Sequence, residues 1–454
     1  MTPFSLEVFQ NEYVAEGTAT MDAIVTVDAR GDTPVPAGDA AEVLIVDLSS
    51  SMTTEPERII AARQAACEAV TCLRDGVAFA VVAGTERATM VYPPQPALAV
   101  AHEATRAAAR EAVARLQPSG GTAMSTWLLA ARELFARSPA TLRHAILLTD
   151  GENWEDAAVL GEALRWCEGI FQADCRGVGT NWAVSQLRTI AGALRGTLDI
   201  IPEPAQMPAE FRALMEASMG RVVPSSALRV WCPQGATVNF IRQVAPEVED
   251  LTAWATPVDD RTRQYPLGAW GTEARDYHLS VALPANDVGT EMLAAQVSLV
   301  TDDAVVGPAL VRAVWTDDHA ASTQISPEVA HYAGQAELSA SIRAGIEALQ
   351  AGDDRTATVK FGRATQLAAA SGHEGTVRML KRVVHVEDER SGTVRIRPQV
   401  AKVDEMALDT RSTRTVRIRR GAPAGEADEM ALDTRSTRTV RVAAVRLPDD
   451  GGQP

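Results

Sequence analysis

The chain is poor in aromatic residues, and after Phe361 it has none at all. A segment that lacks aromatics and carries few branched apolar residues cannot bury enough surface to offset its ordering entropy, so residues 386–454 are expected to form a disordered tail. No apolar run approaches the length needed to cross a bilayer, and no membrane span is expected. The five cysteines, Cys67, Cys72, Cys167, Cys175 and Cys232, are odd in number and scattered, which argues against a disulfide framework. There is no CxxC pair, the seven histidines are dispersed, and no zinc pattern results. A phosphate-cradling GxxxxGKS/T loop is also missing. The net charge of −16 argues against nonspecific nucleic-acid binding. Met1–Leu6 has no basic region followed by a long apolar stretch. Together with free thiols, this gives the expectation of a cytoplasmic protein.

What is present is a set of hard oxygen donors in three short segments. They are Asp47-Leu48-Ser49-Ser50-Ser51, Gly120-Gly121-Thr122 and Leu148-Thr149-Asp150-Gly151. Two carboxylates, Asp47 and Asp150, and three hydroxyls, Ser49, Ser51 and Thr122, contain no nitrogen or sulfur. Such a set suits Mg²⁺, with Mn²⁺ or Ca²⁺ as alternatives. Each segment alone reads as an ordinary turn or helix cap. Their order, each at a strand or loop end of one α/β unit, is what points to a metal.

The hydropathy pattern divides the chain. Residues 1–38 contain strands followed by a Gly/Pro-rich linker. Residues 39–222 alternate strands and helices, as in the apolar run Val43-Leu44-Ile45-Val46 followed by a helix over 56–73. This predicts a doubly wound, Rossmann-like α/β unit with a mostly parallel sheet. Ligands of such sheets bind outside the carboxyl ends of the strands, where Asp47 and Asp150 fall. Residues 223–320 return to strands, with clean alternation in Tyr277-His278-Leu279-Ser280-Val281. A β-sandwich is expected here, joined by the N-terminal strands, so that the α/β unit is an insertion. Residues 321–385 read as a helical hairpin with a third short helix.

Residues 41–222 resemble a von Willebrand factor A domain. The likeness rests on Asp47-Leu48-Ser49-Ser50-Ser51 as the DxSxS motif, Thr122 as the distant threonine and Thr149-Asp150-Gly151 as the second aspartate. The flanking order of strands is similar to bacterial proteins related to the inter-alpha-trypsin inhibitor heavy chain group. The resemblance implies a metal-ion-dependent adhesion site. In it, Ser49, Ser51 and Thr122 offer hydroxyl oxygens to the cation and Asp47 and Asp150 bind it directly or through water. An acidic residue of a partner protein fills the remaining position.

The tail carries a repeat. Residues 404–418 recur as 428–442 with one change, Ile418 to Val442. Two copies with few apolar positions cannot stack into a solenoid. They read as paired docking motifs, with Thr410, Thr413, Thr415, Thr434, Thr437 and Thr439 as candidate phosphorylation sites. A branched aliphatic residue lies three positions after Thr413, Thr415, Thr437 and Thr439, a layout that resembles ligands of forkhead-associated domains. A duplication without function is the plain alternative.

The leading expectation is therefore a non-enzymatic, divalent-cation-dependent interaction module or scaffold in bacterial Ser/Thr kinase signalling. A separate kinase and a forkhead-associated reader would be its further partners. An adaptor subunit of a ring-forming ATPase is the alternative. A metal-assisted hydrolase comes third, because no general base is placed near the site.

Overall fold

The run Val43–Val46 shows no alternation because both faces of its strand are covered, as parallel sheets require. In a computed structural model, residues 4–29, 36–53, 56–221, 223–302, 304–418 and 444–446 are described. The α/β sheet has the strand order Leu198–Ile201, Gln172–Val178, Leu142–Thr149, Ala40–Asp47, Ala78–Gly84, Ala88–Tyr92. All neighbours are parallel except the edge strand Ala88–Tyr92, which pairs antiparallel. Helices Pro56–Cys72, Glu103–Ala114 and Met207–Met219 cover one face. Met124–Ala136, Ala157–Cys167 and Val184–Ala193 cover the other.

This unit is inserted in a β-sandwich, as expected. One sheet joins Phe4–Gln10 and Thr20–Ala29 to Ala274–Ala282, Thr237–Ala245 and Glu249–Asp250. The other contains Ser226–Trp231, Glu291–Thr301 and Ala304–Thr316. Tyr265, Trp270, Tyr277 and Trp315 fill the space between them. The alternating strand at Tyr277 is buried on both faces. Its outer side lies under helix Pro327–Gln350, whose Tyr332 packs with Phe9, Ile24 and Val244. That helix forms the expected hairpin with Asp354–Ala370, followed by Glu374–Val383.

The expected disorder from residue 386 onward is corrected for residues 386–418. Val384–Asp388 and Thr393–Ile396 form a hairpin, and Lys402–Thr410 is a helix. The hairpin turn lies against helix Asp354–Ala370 at paired glycines: a Cβ on Gly362 would stand 2.3 Å from the Gly392 carbonyl oxygen. Without a core of its own, the segment borrows one. Leu408 is buried in the helical layer, and Met406 and Ala407 pack on the α/β unit. Beyond the helix, residues 411–418 run as a strap across the body. Arg411 and Arg414 both reach Asp199, at 2.9 and 2.5 Å. Arg417 pairs with both oxygens of Asp276, at 2.9 and 3.0 Å. Asp276 also accepts hydroxyl hydrogens from Thr26 and Tyr332. Burial opposes its ionisation, yet these donors outweigh that and hold its pKa below the ordinary range. The strap thus ties the α/β unit, the sandwich and the helical layer together. The second copy, 428–442, lies outside the described residues.

A second buried polar cluster sits at the opposite end of the parallel sheet from Asp47. His144 lies between Glu42 at 2.8 Å and Asp174 at 2.9 Å. Burial works against its positive charge, but the two carboxylates outweigh it and raise its pKa. Burial likewise opposes ionisation of Asp174, and the His144 hydrogen bond and charge, with Arg176 and Arg221, lower its pKa despite this.

These contacts set the stability expected of three variants. A chain ending at residue 385 melts well below the full chain in calorimetry; an unchanged melting temperature would show that the strap is not structural. Tyr332→Phe costs about 1–2 kcal/mol in denaturant unfolding, the usual effect of removing one buried hydrogen-bond donor. For the His144 cluster the signs are fixed by linkage. A raised imidazole stabilises fully below about pH 6.5 and loses its effect as pH rises through its folded value; a lowered carboxylate stabilises above about pH 3.9 and loses its effect on acidification. The cluster therefore contributes most between those limits. His144→Gln should abolish the decline in melting temperature on the alkaline side.

Candidate metal centre

Strands Ala40–Asp47 and Leu142–Thr149 are neighbours with Val46 opposite Leu148, so Asp47 and Thr149 emerge side by side. One Asp47 oxygen accepts the Ser49 N–H at 2.7 Å, and the other accepts the Thr149 hydroxyl at 2.5 Å. The turn that follows is laced to the glycine loop: Ser50 N–H donates to Gly120 O at 2.9 Å and Ser119 N–H to Leu48 O at 2.7 Å. Gly120 has φ of 77°, open to a residue without Cβ. The loop then places Thr122, which is buried.

The three hydroxyls and Asp150 converge. Ser49 Oγ and Ser51 Oγ are 2.8 Å apart, and Ser51 Oγ donates to Asp150 Oδ1 at 2.5 Å. A Cβ added to Gly151 would lie 3.2 Å from the Ser51 and Thr122 hydroxyls and 3.6 Å from that of Ser49. All five residues expected from the sequence thus meet at one place. The donors are oxygens only, and among the described residues no group of three or more His, Cys, Asp or Glu is placed to hold a metal ion. This set fits a Mg²⁺-like cation, with Ser49, Ser51 and Thr122 as neutral donors and Asp47 and Asp150 as the charged ones.

The electrostatics agree. Asp47 and Asp150 are both fully buried. Asp150 pairs with Arg58 at 2.9 Å. Among the described residues no basic side chain forms an ion pair with Asp47. Burial pushes its pKa up to about 6, against the hydrogen bonds from Ser49 and Thr149. A buried carboxylate without a cation is costly, and a divalent ion in the cluster supplies one.

The cluster opens into a cleft of about 260 Å³ edged by Glu152, Trp154 and Asn181. Trp154 is 69% exposed, and its ring lies over Gly121, where a Cβ would stand 2.0 Å away. The acidic stretch at Glu152–Glu155 is a loop. Asn153 Oδ1 accepts the Met124 N–H, and Glu155 accepts the Ser125 N–H, each at 2.9 Å. These side chains cap helix Met124–Ala136, where negative charge is favoured. Sequence reasoning missed Arg58, Thr149 and Trp154 as parts of the site. Thr149, adjacent to Asp150 in the motif, was the one with a local signal.

The candidate phosphorylation sites fare differently. Thr410 is buried, and the Thr415 hydroxyl donates to the carbonyls of Val244 at 2.7 Å and Pro246 at 3.0 Å. With Thr413, they belong to the docked strap rather than to a free tail. Thr434, Thr437 and Thr439 lie outside the described residues.

Two predictions test the centre. Gly151→Ala should weaken divalent-ion binding on the order of tenfold or more while removing no ligand, because its methyl group crowds three hydroxyls; isothermal titration reads this. Asp47 must be ionised to bind, so affinity should fall as pH is lowered through about 6. Affinity unchanged between pH 7.5 and 5 would contradict the assignment.

Comparison with known proteins agrees with the fold and the motif. The von Willebrand factor type A domain profile matches residues 41–200, and the von Willebrand factor type A C-terminal domain profile matches residues 366–412. The second match covers the hairpin and helix Lys402–Thr410. A solved von Willebrand factor type A protein from Catenulispora acidiphila is 45% identical, with a TM-score of 0.87 over 92% of this chain and 98% of that one. The ArnB paralog VWA2 from Sulfolobus acidocaldarius shares the fold at 15% identity, with a TM-score of 0.57 over 91% of this chain and 98% of that one. No curated protein matches the chain. With the Asp47, Ser49, Ser51, Thr122 and Asp150 cluster in place and a relative that alike along nearly its whole length, the chain belongs to the bacterial von Willebrand factor type A domain proteins.

Proposed function

We propose that the protein is a non-enzymatic binding module that grips an acidic side chain of a partner protein through a divalent cation, Mg²⁺ by preference. Domains of this family are commonly protein–protein interaction modules with a metal site. The observation that supports the finer reading is the oxygen cluster opening directly beneath the exposed Trp154. Three neutral hydroxyls leave the cation much of its charge, so a carboxylate from outside can displace a metal-bound water. A rim tryptophan supplies the apolar contact on which interfaces concentrate their binding energy.

A hydrolase is not favoured. The cleft lining contains no histidine, cysteine or lysine, and its one carboxyl group is that of the exposed Glu152. His144 is buried at the far end of the sheet between Glu42 and Asp174. Among the described residues no helix is long and apolar enough to cross a membrane.

The kinase-pathway element of the proposal rests on the repeated threonines. Because Thr410 and Thr415 are engaged in the strap, the copy with Thr434, Thr437 and Thr439 is the one offered to a Ser/Thr kinase and to a phosphothreonine reader of the forkhead-associated type.

A pull-down with the full chain in Mg²⁺ and in EDTA tests the adhesion reading. A partner should be retained only in Mg²⁺, lost with Asp47→Ala, and weakened tenfold or more with Trp154→Ala while ion binding persists. Equal capture in both buffers would contradict metal-dependent adhesion.

A further inference from the structure

The chain carries a net charge of −16, yet one cleft of about 500 Å³ is lined by four arginines. It lies between helices Glu374–Val383 and Lys402–Thr410, the start of the strap and Pro202-Glu203. Arg378 and Arg382 come from the first helix, one turn apart, and Arg411 and Arg414 from the strap. Like charges at this i, i+4 spacing repel. The carboxylates answer them only in part. Arg382 pairs with Asp404 at 3.0 Å, while Arg411 and Arg414 share the single carboxylate of Asp199. Arg378 is exposed and, among the described residues, forms no hydrogen bond or ion pair. Glu203, the other acid of the lining, is exposed. His373 serves as a brace. Its Nδ1 accepts the Thr376 N–H at 3.3 Å, so its Nε2 donates to the Arg414 carbonyl at 3.1 Å and fixes the strap at the cleft. Pro202, Met379 and Val403 add apolar surface to the lining. The cleft adjoins the carboxyl end of strand Leu198–Ile201, the end of the parallel sheet that also bears Asp47 and Asp150. Three strand steps separate that strand from Ala40–Asp47, about 14 Å at the usual spacing, so this cleft is distinct from the metal centre.

We infer that the cleft is a binding site for a phosphate monoester. A guanidinium presents its donors in a planar fork that matches phosphate oxygens. A phosphate ester carries nearly two negative charges and three acceptor oxygens, so it engages Arg378, Arg382 and the strap arginines together. A carboxylate offers one charge and two oxygens and leaves part of the arginine cluster unanswered. The volume exceeds that of a phosphate group and falls within the range of small-molecule sites, so the esterified group rests on Met379, Val403 and Pro202. A ligand held there spans the helical layer, the strap and the edge of the α/β sheet, and it stabilises the full chain by mass action.

The test uses the full chain in EDTA, so that no cation at Asp47 can hold phosphate. Inorganic phosphate, a short neutral peptide containing phosphothreonine, adenosine 5′-monophosphate and acetate are titrated calorimetrically at constant ionic strength. Phosphate should bind saturably and raise the melting temperature, one of the two esters should bind severalfold more tightly, and acetate should not bind. The tighter ester identifies the source, a phosphorylated protein segment or a nucleotide. Arg378→Ala should weaken phosphate binding roughly tenfold and Arg378→Lys less. Both variants should melt like the wild type without ligand, because Arg378 holds nothing in place. Asp47→Ala should bind phosphate as the wild type does. If neither phosphate nor either ester binds, or if Arg378→Ala/Arg382→Ala binds them unchanged, the cleft is only a solvated ion-pair network and the inference fails. Acetate binding as tightly as phosphate would overturn the assignment to phosphate esters.

Discussion

Two carboxylates, Asp47 and Asp150, are buried side by side at the carboxyl end of the parallel sheet, and Arg58 pairs with Asp150. Burying a charge without its counterpart is among the costliest arrangements available to a protein. Here it is compensated only in part, by hydrogen bonds from Ser49 and Thr149 to Asp47. The raised pKa of Asp47 expresses the remainder. A divalent ion among the adjoining hydroxyls would resolve this imbalance and would still leave its charge available to an outside ligand. The account of function follows from that asymmetry.

The remaining architecture holds the cluster in place. Strand Ala40–Asp47 is flanked by Ala78–Gly84 and Leu142–Thr149, so loops from several strands meet above one point. The Asp150 loop is braced from behind by Asn153 and Glu155, which cap helix Met124–Ala136. On the far side, strand Leu198–Ile201 carries Asp199, the anchor for Arg411 and Arg414. The strap then continues to Asp276 in the sandwich and Tyr332 in the helical layer. The candidate metal centre and the Asp199 anchor are therefore borne by one sheet, which makes the strap a physical link between the α/β unit and the elements around it.

The five clustered oxygen donors were legible in the sequence because they sit in short local motifs whose strand ends could be placed from apolar runs. The insertion in the sandwich was legible because the hydrophobic period changes twice. Arg58 and Trp154 were not, since their roles depend on where a helix and a loop turn after the motif ends. The strap was misread for a physical reason. Absence of aromatics shows that a segment cannot build a core, but not that it cannot borrow one, and Leu408 and Arg417 do so. The alternation at Tyr277 was legible as a sandwich strand, but what covers its outer face was not. Helix Pro327–Gln350 covers that face and leaves Asp276 and Ser280 buried beneath it.

The most direct measurement is a crystal of the full chain soaked in Mn²⁺, with anomalous scattering recorded at the manganese edge. The account predicts one strong peak within about 2.0–2.3 Å of the hydroxyl oxygens of Ser49, Ser51 and Thr122, with Arg58 still on Asp150. No peak at that position, in crystals whose cleft is open to solvent, would show that the buried carboxylates are balanced without a metal and would contradict the account.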